Sequence, residues 1–149
     1  GIIRAFAGRK RHRLAAALGG ALVALLGLSG LGLTEDSAAQ GTPEAVTLET
    51  ARAELAAGRA VVIDIREPME HATGVAAGAT LLPMSQIGRR LAEIPTDARK
   101  PVLLICNTQN RSGRTLRALR ERGYAHVRYV DGGMSEWARR GWPMVRPPR

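Results

Sequence analysis

Hydrophobic and polar positions along the chain fall into two alternating patterns. Compact apolar runs, rich in β-branched residues, occupy positions 60–65, 102–105 and 127–130. They are too short for helices: 60–65, a continuous β-branched run, is predicted to be a strand buried on both faces, 102–105 a buried strand, and 127–130 a further strand. Residues 80–82 add a short strand. Between these runs the apolar positions recur at helical spacing. Leu48, Ala51 and Leu55 share one face of a helix that Thr47 caps and Gly58 ends. Ile87, Leu91 and Ile94 share a face of a second helix, capped by Ser85. Leu116 and Leu119 face inward from a third that opens at Arg111 and Ser112, runs to about Arg122, and stops at Gly123 after basic residues. A short fourth helix carries Trp137, with Gly132 and Gly133 before it, Gly141 after it, and Pro143 preventing its return. Small residues around Gly74 and Gly78 predict a loop, and Pro147, Pro148 and Arg149 a loose tail. Strands alternating with helices, without a tight hairpin signal, predict an α/β fold class: a central, mainly parallel sheet flanked by helices.

The first segment departs from this pattern. Arg4, Arg9, Lys10, Arg11 and Arg13 precede an uncharged apolar run over 14–33, and Ser37, Ala38, Ala39 and Gln40 follow it. A basic start, an apolar stretch and small residues at alternate positions make an export signal, with Ala39 the last residue removed. The same run is long enough to span a bilayer once, so a permanent signal anchor is the alternative. Either way the basic end stays cytoplasmic and the rest crosses the membrane. The chain is therefore divided into residues 1–39, an export signal or signal anchor, and residues 40–149, one domain with its core at about 47–143. The expected location is the periplasm, or the inner membrane facing the periplasm. The membrane is a partner only through residues 14–33, if the signal is not cleaved.

Composition narrows the partners. Twenty-two Lys and Arg against 13 Asp and Glu give a net charge of +9, which favours an anionic partner. One Phe, two Tyr and two Trp leave little surface on which bases could stack, and the arginines are scattered, so no nucleic acid is expected. Cys106 is the only cysteine, which excludes an internal disulfide and a Cys-x-x-Cys pair. His12, His71 and His126 lack metal-ligand spacing, so no metal site is expected, and the last two read as surface or loop residues. No phosphate-binding glycine fingerprint occurs, and no cofactor is expected.

The candidate chemistry lies in residues 102–114, VLLICNTQNRSGR. Cys106 ends a buried strand and faces the start of a helix. Asn107, Thr108, Gln109 and Asn110 form a loop round its sulfur, and Arg111 and Ser112 open the helix. Successive N–H groups in such a turn make an anion-binding concavity, and the positive helix end and the Arg111 guanidinium add to the same field. Such a surround suits a negatively charged sulfur; a buried structural cysteine is the alternative reading. In open α/β sheets the ligand site lies beyond the carboxyl ends of the strands, where Cys106 falls. The loop between Cys106 and Arg111 is one residue shorter than the one tyrosine-phosphatase-like enzymes wrap round a phosphate. It suits a smaller group, such as a sulfur atom attached to the cysteine.

These motifs together resemble a single rhodanese domain over about 47–143. Cys106 with Arg111 and Ser112 is similar to the family's Cys-x-x-Gly-x-Arg-Ser. Asp64, Arg66, Glu67, Pro68 and Glu70 are similar to its Asp-x-Arg-Glu-Pro-x-Glu segment. Gly74 with Gly78 and Ala79 matches the ends of Gly-His-Ile-Pro-Gly-Ala, and Gly132, Gly133, Trp137, Gly141 and Pro143 match the closing segment. The resemblance implies a sulfurtransferase of the thiosulfate type, with Cys106 the catalytic residue that carries a persulfide. It implies that residues Asn107, Thr108, Gln109, Asn110, Arg111 and Ser112 bind the substrate, and that Asp64 and Arg66 brace the loops round the site. The expected partners are a small anionic sulfur donor such as thiosulfate and an acceptor thiol or cyanide. The alternative is a weakly catalytic or non-catalytic binding or sulfur-relay module that acts with a partner protein. Two departures stand out. Gln109 occupies the motif's Gly position, so its backbone must avoid the left-handed region or be strained there. Val75, Ala76 and Ala77 replace His-Ile-Pro and make the segment beside the site less polar.

Overall fold

A computed structural model describes residues 42–148. The basic start, the 14–33 run and the Ala39–Gln40 junction lie outside the described residues, as does Arg149. No helix among the described residues is long and apolar enough to cross a membrane. The elements in chain order are β1 (Ala45–Val46), α1 (Leu48–Ala56), β2 (Val61–Asp64), α2 (Pro68–His71), β3 (Val75–Ala76) and β4 (Thr80–Leu81). Two 3-10 turns follow at Met84–Gln86 and Leu91–Glu93, then β5 (Val102–Ile105), α3 (Asn110–Glu121), β6 (Val127–Val130), α4 (Gly133–Arg139) and β7 (Met144–Val145). Five strands form a sheet in the order β1-β6-β5-β2-β4, parallel at every pairing.

The central strand β5 reads as an unbroken apolar run because both of its faces are covered. In β5, Leu103 and Ile105 pack with Leu48 of α1 and Trp137 of α4. Val102 and Leu104 point the other way, toward Leu116 and Leu119 of α3, and Cys106 continues that alternation just past the strand. Leu104 is completely buried, a burial that contributes about 1.5 to 3 kcal/mol for a side chain of this size. Asp64 lies beside Ile105 in the β2–β5 register, so the segments after both strands leave the sheet at one end. That end carries the candidate site. At the opposite edge of the sheet β1 lies outside β6, with Ala45 beside Tyr129.

Local chemistry sets the helix boundaries. Thr47 takes the Thr50 N–H on its Oγ1 at 3.1 Å and caps α1, a contact worth about 1 kcal/mol. Pro68 occupies the first turn of α2, where its missing N–H costs nothing. The chain turns out of α3 at Gly123, with φ +98°, and the Tyr124 N–H reaches back to the Leu119 carbonyl at 3.1 Å.

The helix expected from Ser85 onward does not form. Ser85 does not cap; its N–H and Oγ both donate to the Glu67 carboxylate, at 3.0 and 2.7 Å. The segment is instead two 3-10 turns with Gly88 between them, and both Ile87 and Ile94 are buried against the α3 side of the core. A second difference lies at Gly74 and Gly78. The segment between them is not only a loop, because β3 pairs antiparallel with β7, Val75 beside Val145. The chain before β7 is secured by the Trp137 indole N–H, which donates to the Pro143 carbonyl at 3.0 Å. Trp142 stands edge-on to Trp137 at 5.0 Å, between the guanidinium groups of Arg52 and Arg140.

Candidate active site

Cys106 is 1% exposed, and its sulfur faces a protein-built chain of hydrogen bonds. The Ser112 N–H donates to Sγ at 3.4 Å, the thiol donates to Ser112 Oγ at 3.3 Å, and that hydroxyl donates to the Gln109 carbonyl at 3.2 Å. When the sulfur is ionised the hydroxyl can turn and donate to it instead, since a serine oxygen serves both roles. Asn107, Thr108, Gln109 and Asn110 form the exposed arc between strand and helix. Within the described residues the backbone N–H groups of 107–111 have no backbone acceptor, so they are available to an anion held outside the sulfur. Gln109 has φ −150° and ψ −4°, and no non-glycine residue among those described has a positive φ. Gln109 thus replaces glycine without left-handed strain.

The arc is pinned from behind by α4. The Met134 N–H donates to the Cys106 carbonyl and the Ser135 N–H to the Asn107 carbonyl, both at 2.8 Å. This approach requires Gly133: at φ +60° it has no side chain, and a Cβ there would lie 2.4 Å from the carbonyl oxygens of both Cys106 and Thr108. From the sequence Gly133 reads as half of a Gly-Gly pair before a helix, matched to the family's closing segment with no role attached. The usable signal is that such a helix start points bare N–H groups at whatever lies before it.

In front of the arc Arg111 turns toward α2. Its Nη1 and Nη2 donate to Glu70 Oε1 and Oε2 at 2.5 and 2.7 Å, a planar two-bond clamp. The guanidinium expected to bind substrate is therefore already paired with a carboxylate, which fixes its orientation beside the loop. The hydrogen bond from Arg111 is the main reason Glu70 is held down at about 2, and the same contact raises Arg111, with the Cys106 sulfur adding attraction.

The Glu70 backbone is held in turn by Arg66, and Arg66 by Asp64, the two residues expected to brace the loops. Arg66 is 3% exposed and Asp64 fully buried; Arg66 donates from Nε to Oδ1 at 3.0 Å and from Nη2 to Oδ2 at 2.7 Å. Its remaining N–H groups reach the carbonyls of Gly74 at 2.8 Å and Glu70 at 3.4 Å. One buried guanidinium thus joins the end of β2, α2 and the start of β3. His71 was expected at the surface but is 5% exposed, because its Nε2 sits 3.2 Å from the Asp64 carbonyl and 3.3 Å from Asp64 Oδ1. The structure does not bring Asp64 and Arg66 to the sulfur. It connects them to the loop through Glu70 and Arg111, a path along which sequence spacing is uninformative. No group of three or more His, Cys, Asp or Glu able to hold a metal occurs among the described residues.

The Glu70–Arg111 clamp makes a pH-dependent contribution to stability. Glu70 is lowered from the usual 4.5 to about 2 in the folded protein, so its contribution is complete above the usual value and lost as pH falls toward about 2. Its side chain is 33% exposed, so solvent screens part of the effect. Thermal unfolding of the parent and Glu70→Gln across this range is expected to show a gap in midpoint that closes on acidification. A gap independent of pH would remove the clamp from the account.

Comparison with known proteins points in one direction. Residues 47–140 match the model of the family described as "Rhodanese-like domain". A protein named "Sulfurtransferase" from Allochromatium vinosum is 39% identical over 87 residues, covering 58% of this chain and 79% of that one. The uncharacterized protein YqhL of Bacillus subtilis is 42% identical over 79 residues, covering 53% of this chain and 61% of its own. Among solved structures, a rhodanese-related protein from Thermoplasma volcanium superposes with a TM-score of 0.62 at 25% identity, over 70% of this chain and 100% of that one.

Proposed function

The chain belongs to the rhodanese-like domain family, and from that membership we propose that it is a sulfurtransferase in which Cys106 carries the travelling sulfur as a persulfide. The observation that carries this reading is the sulfur itself, hydrogen-bonded to Ser112 and followed by a loop, residues 107–111, whose backbone N–H groups have no backbone acceptor. With thiosulfate as donor, the Cys106 thiolate attacks the outer sulfur. The donor S–S bond breaks, and sulfite leaves with the bonding pair. The new outer sulfur bears the negative charge, and the loop N–H groups face it. Cyanide or an acceptor thiolate then attacks that sulfur and returns the electron pair to Cys106, which gives two half-reactions and ping-pong kinetics. No outside oxidant or reductant is consumed. The intact mass of the reduced protein after incubation with thiosulfate and desalting is expected to increase by one sulfur atom, reversibly with cyanide. An unchanged mass would exclude thiosulfate as the donor.

Arg111 separates charge from geometry in this scheme. Arg111→Ala removes the positive charge beside the sulfur and frees Glu70 to repel an anion, so it is expected to slow sulfur uptake by about 2 to 4 kcal/mol of transition-state stabilisation. Arg111→Lys keeps the charge and loses the two-bond clamp, and should restore only part of the rate. Both variants are compared with the parent at a temperature well below all three unfolding midpoints, where each is fully folded. Parent-like uptake in both would take Arg111 out of the chemistry.

A second reading, a relay module that turns over slowly by itself, is favoured by the 1% exposure of Cys106. On that reading the protein takes up sulfur but releases it fast only to a partner. The export-like residues 1–39 support a periplasmic or membrane-anchored site of action. Recovery of a protein beginning near Gln40 by osmotic shock would agree with cleavage, and retention of residues 14–33 in a membrane fraction would favour the anchor.

A further inference from the structure

We propose that a basic groove beside the sulfur loop binds the carboxylate of a small thiol that takes the sulfur from Cys106; this rests on the persulfide reading above. The groove encloses about 460 Å³ and is lined by Gln109 and Asn110 of the loop, Gly113, Arg114 and Arg117 of α3, and Tyr129 of β6. It shares a wall with the reaction site, because the Gln109 carbonyl ends the hydrogen-bond chain that begins at the sulfur.

Part of its wall is bare backbone, with room at ordinary contact distance for one methyl group. Gly113 is buried, and a Cβ on it would stand 3.9 Å from both terminal nitrogens of Arg117 and 4.0 Å from the Tyr129 ring. Guanidinium and phenol therefore converge over bare backbone. The groove is also positively charged. Arg66, Arg90, Arg111, Arg139 and Arg140 are all held in close ion pairs. Arg114 is exposed and has no ion-pair partner among the described residues, and Arg117 meets only Glu44, at 3.6 Å, with both side chains largely exposed. A loose exposed pair of that kind offsets little of its charge.

Among the described residues no carboxylate is part of the groove's lining, and Glu44 stands just outside it, 3.6 Å from Arg117. Two guanidinium groups offer planar, paired donors to an incoming carboxylate, and the amides of Gln109 and Asn110 and the Tyr129 hydroxyl suit peptide groups. The volume falls in the range of small-molecule sites and exceeds what a small inorganic donor needs. It fits the second half-reaction. The bound thiol, having lost its proton to solvent, attacks the outer sulfur. The bond between that sulfur and Cys106 Sγ breaks, its electron pair stays on Sγ, and the acceptor leaves as a persulfide.

The test compares glutathione, which carries two carboxylates, with neutral 2-mercaptoethanol as acceptors for the sulfur-loaded full-length protein. The Arg114→Gln/Arg117→Gln variant is expected to give up sulfur to glutathione about tenfold more slowly than the parent, a difference that shrinks with added salt. With 2-mercaptoethanol the two proteins should agree within about twofold. An equal loss with both thiols, or no loss with glutathione, overturns the proposal. Binding of unreactive S-methylglutathione to the unloaded protein, followed by calorimetry, is an independent readout. Binding that is weakened in the variant supports the groove even if no donor loads Cys106, in which case only the persulfide reading fails. No binding to the parent overturns the groove, as does preferential binding of an acidic protein with none of the small ligand.

Discussion

Gly133→Ala is expected to lower the free energy of unfolding by about 3 kcal/mol and to disable sulfur loading with it. The first contribution is conformational, since a left-handed backbone costs a residue with a side chain about 1 to 2 kcal/mol. The second is steric. The new methyl group would meet two carbonyl oxygens at 2.4 Å, and both belong to backbone that cannot rotate aside. Overpacking of this kind costs about 1 to 3 kcal/mol. Relief requires α4 to back away from the loop, which stretches the bonds from Met134 and Ser135 that hold the carbonyls of Cys106 and Asn107. A shift of about 1 Å there would slow chemistry at the sulfur by about two orders of magnitude. For a domain of this size the unfolding midpoint should fall by more than about 10 °C. Gly132→Ala is the matched comparison. It is also left-handed, at φ +87°, but its Cβ would meet only the Glu136 side chain, at 3.2 Å. It should cost about 1 to 2 kcal/mol and leave the loading rate close to that of the parent. Equal losses in the two variants would mean that the backbone contact behind the loop is not what makes Gly133 special.

Cys106→Ser is expected to abolish loading completely and leave the fold in place. The variant keeps a hydroxyl within reach of Ser112, so the hydrogen-bond chain to Gln109 survives and the stability cost should stay below about 1.5 kcal/mol. Serine cannot form the persulfide, and the chain contains no other cysteine to substitute for it. The rate with thiosulfate should therefore fall at least about 10⁴-fold, to background, as happens when a covalent nucleophile is removed. The measurement is the intact mass after thiosulfate, alongside the far-ultraviolet spectrum and melting curve. Cyanide-labile sulfur retained by Cys106→Ser would mean that Cys106 is not the carrier.

How much of this was legible in the sequence depends on the range of the interaction. β2, β5 and β6 are spelled out by short β-branched or aliphatic runs, most plainly Val102-Leu103-Leu104-Ile105, where burial on both faces leaves no polar position; Asp64 in β2 and Arg128 in β6 are the exceptions. The position of Cys106 at the strand end and the helix after it follow from the same local pattern. The segment with Ile87, Leu91 and Ile94 does not, since spacings of four and three suit a helix and a pair of 3-10 turns alike. What decides it is Glu67, which takes Ser85 from 18 positions away. The Glu70–Arg111 clamp spans 41 positions and the β3–β7 pairing involves two-residue strands, so neither leaves a periodic trace. His71 misleads for the same reason: its burial is set by Asp64, and nothing in its neighbours announces that. At Gln109 the family motif leaves two outcomes, a backbone that avoids the left-handed region or one strained within it, and the observed φ of −150° is the first.

The place of β1 at the edge of the sheet bears on how the domain assembles. The Tyr129 and Asp131 N–H groups donate to the carbonyls of Glu44 and Val46, and Arg120 and Arg128 hold those of Thr42 and Pro43. Every partner of β1 thus lies near the far end of the domain. Closing a chain segment of that length costs entropy before any contact repays it, whereas β5, α3 and β6 follow one another directly and can dock at little such cost. β1 is made before the other strands of this sheet and must wait, unpaired, until β6 is available to receive it.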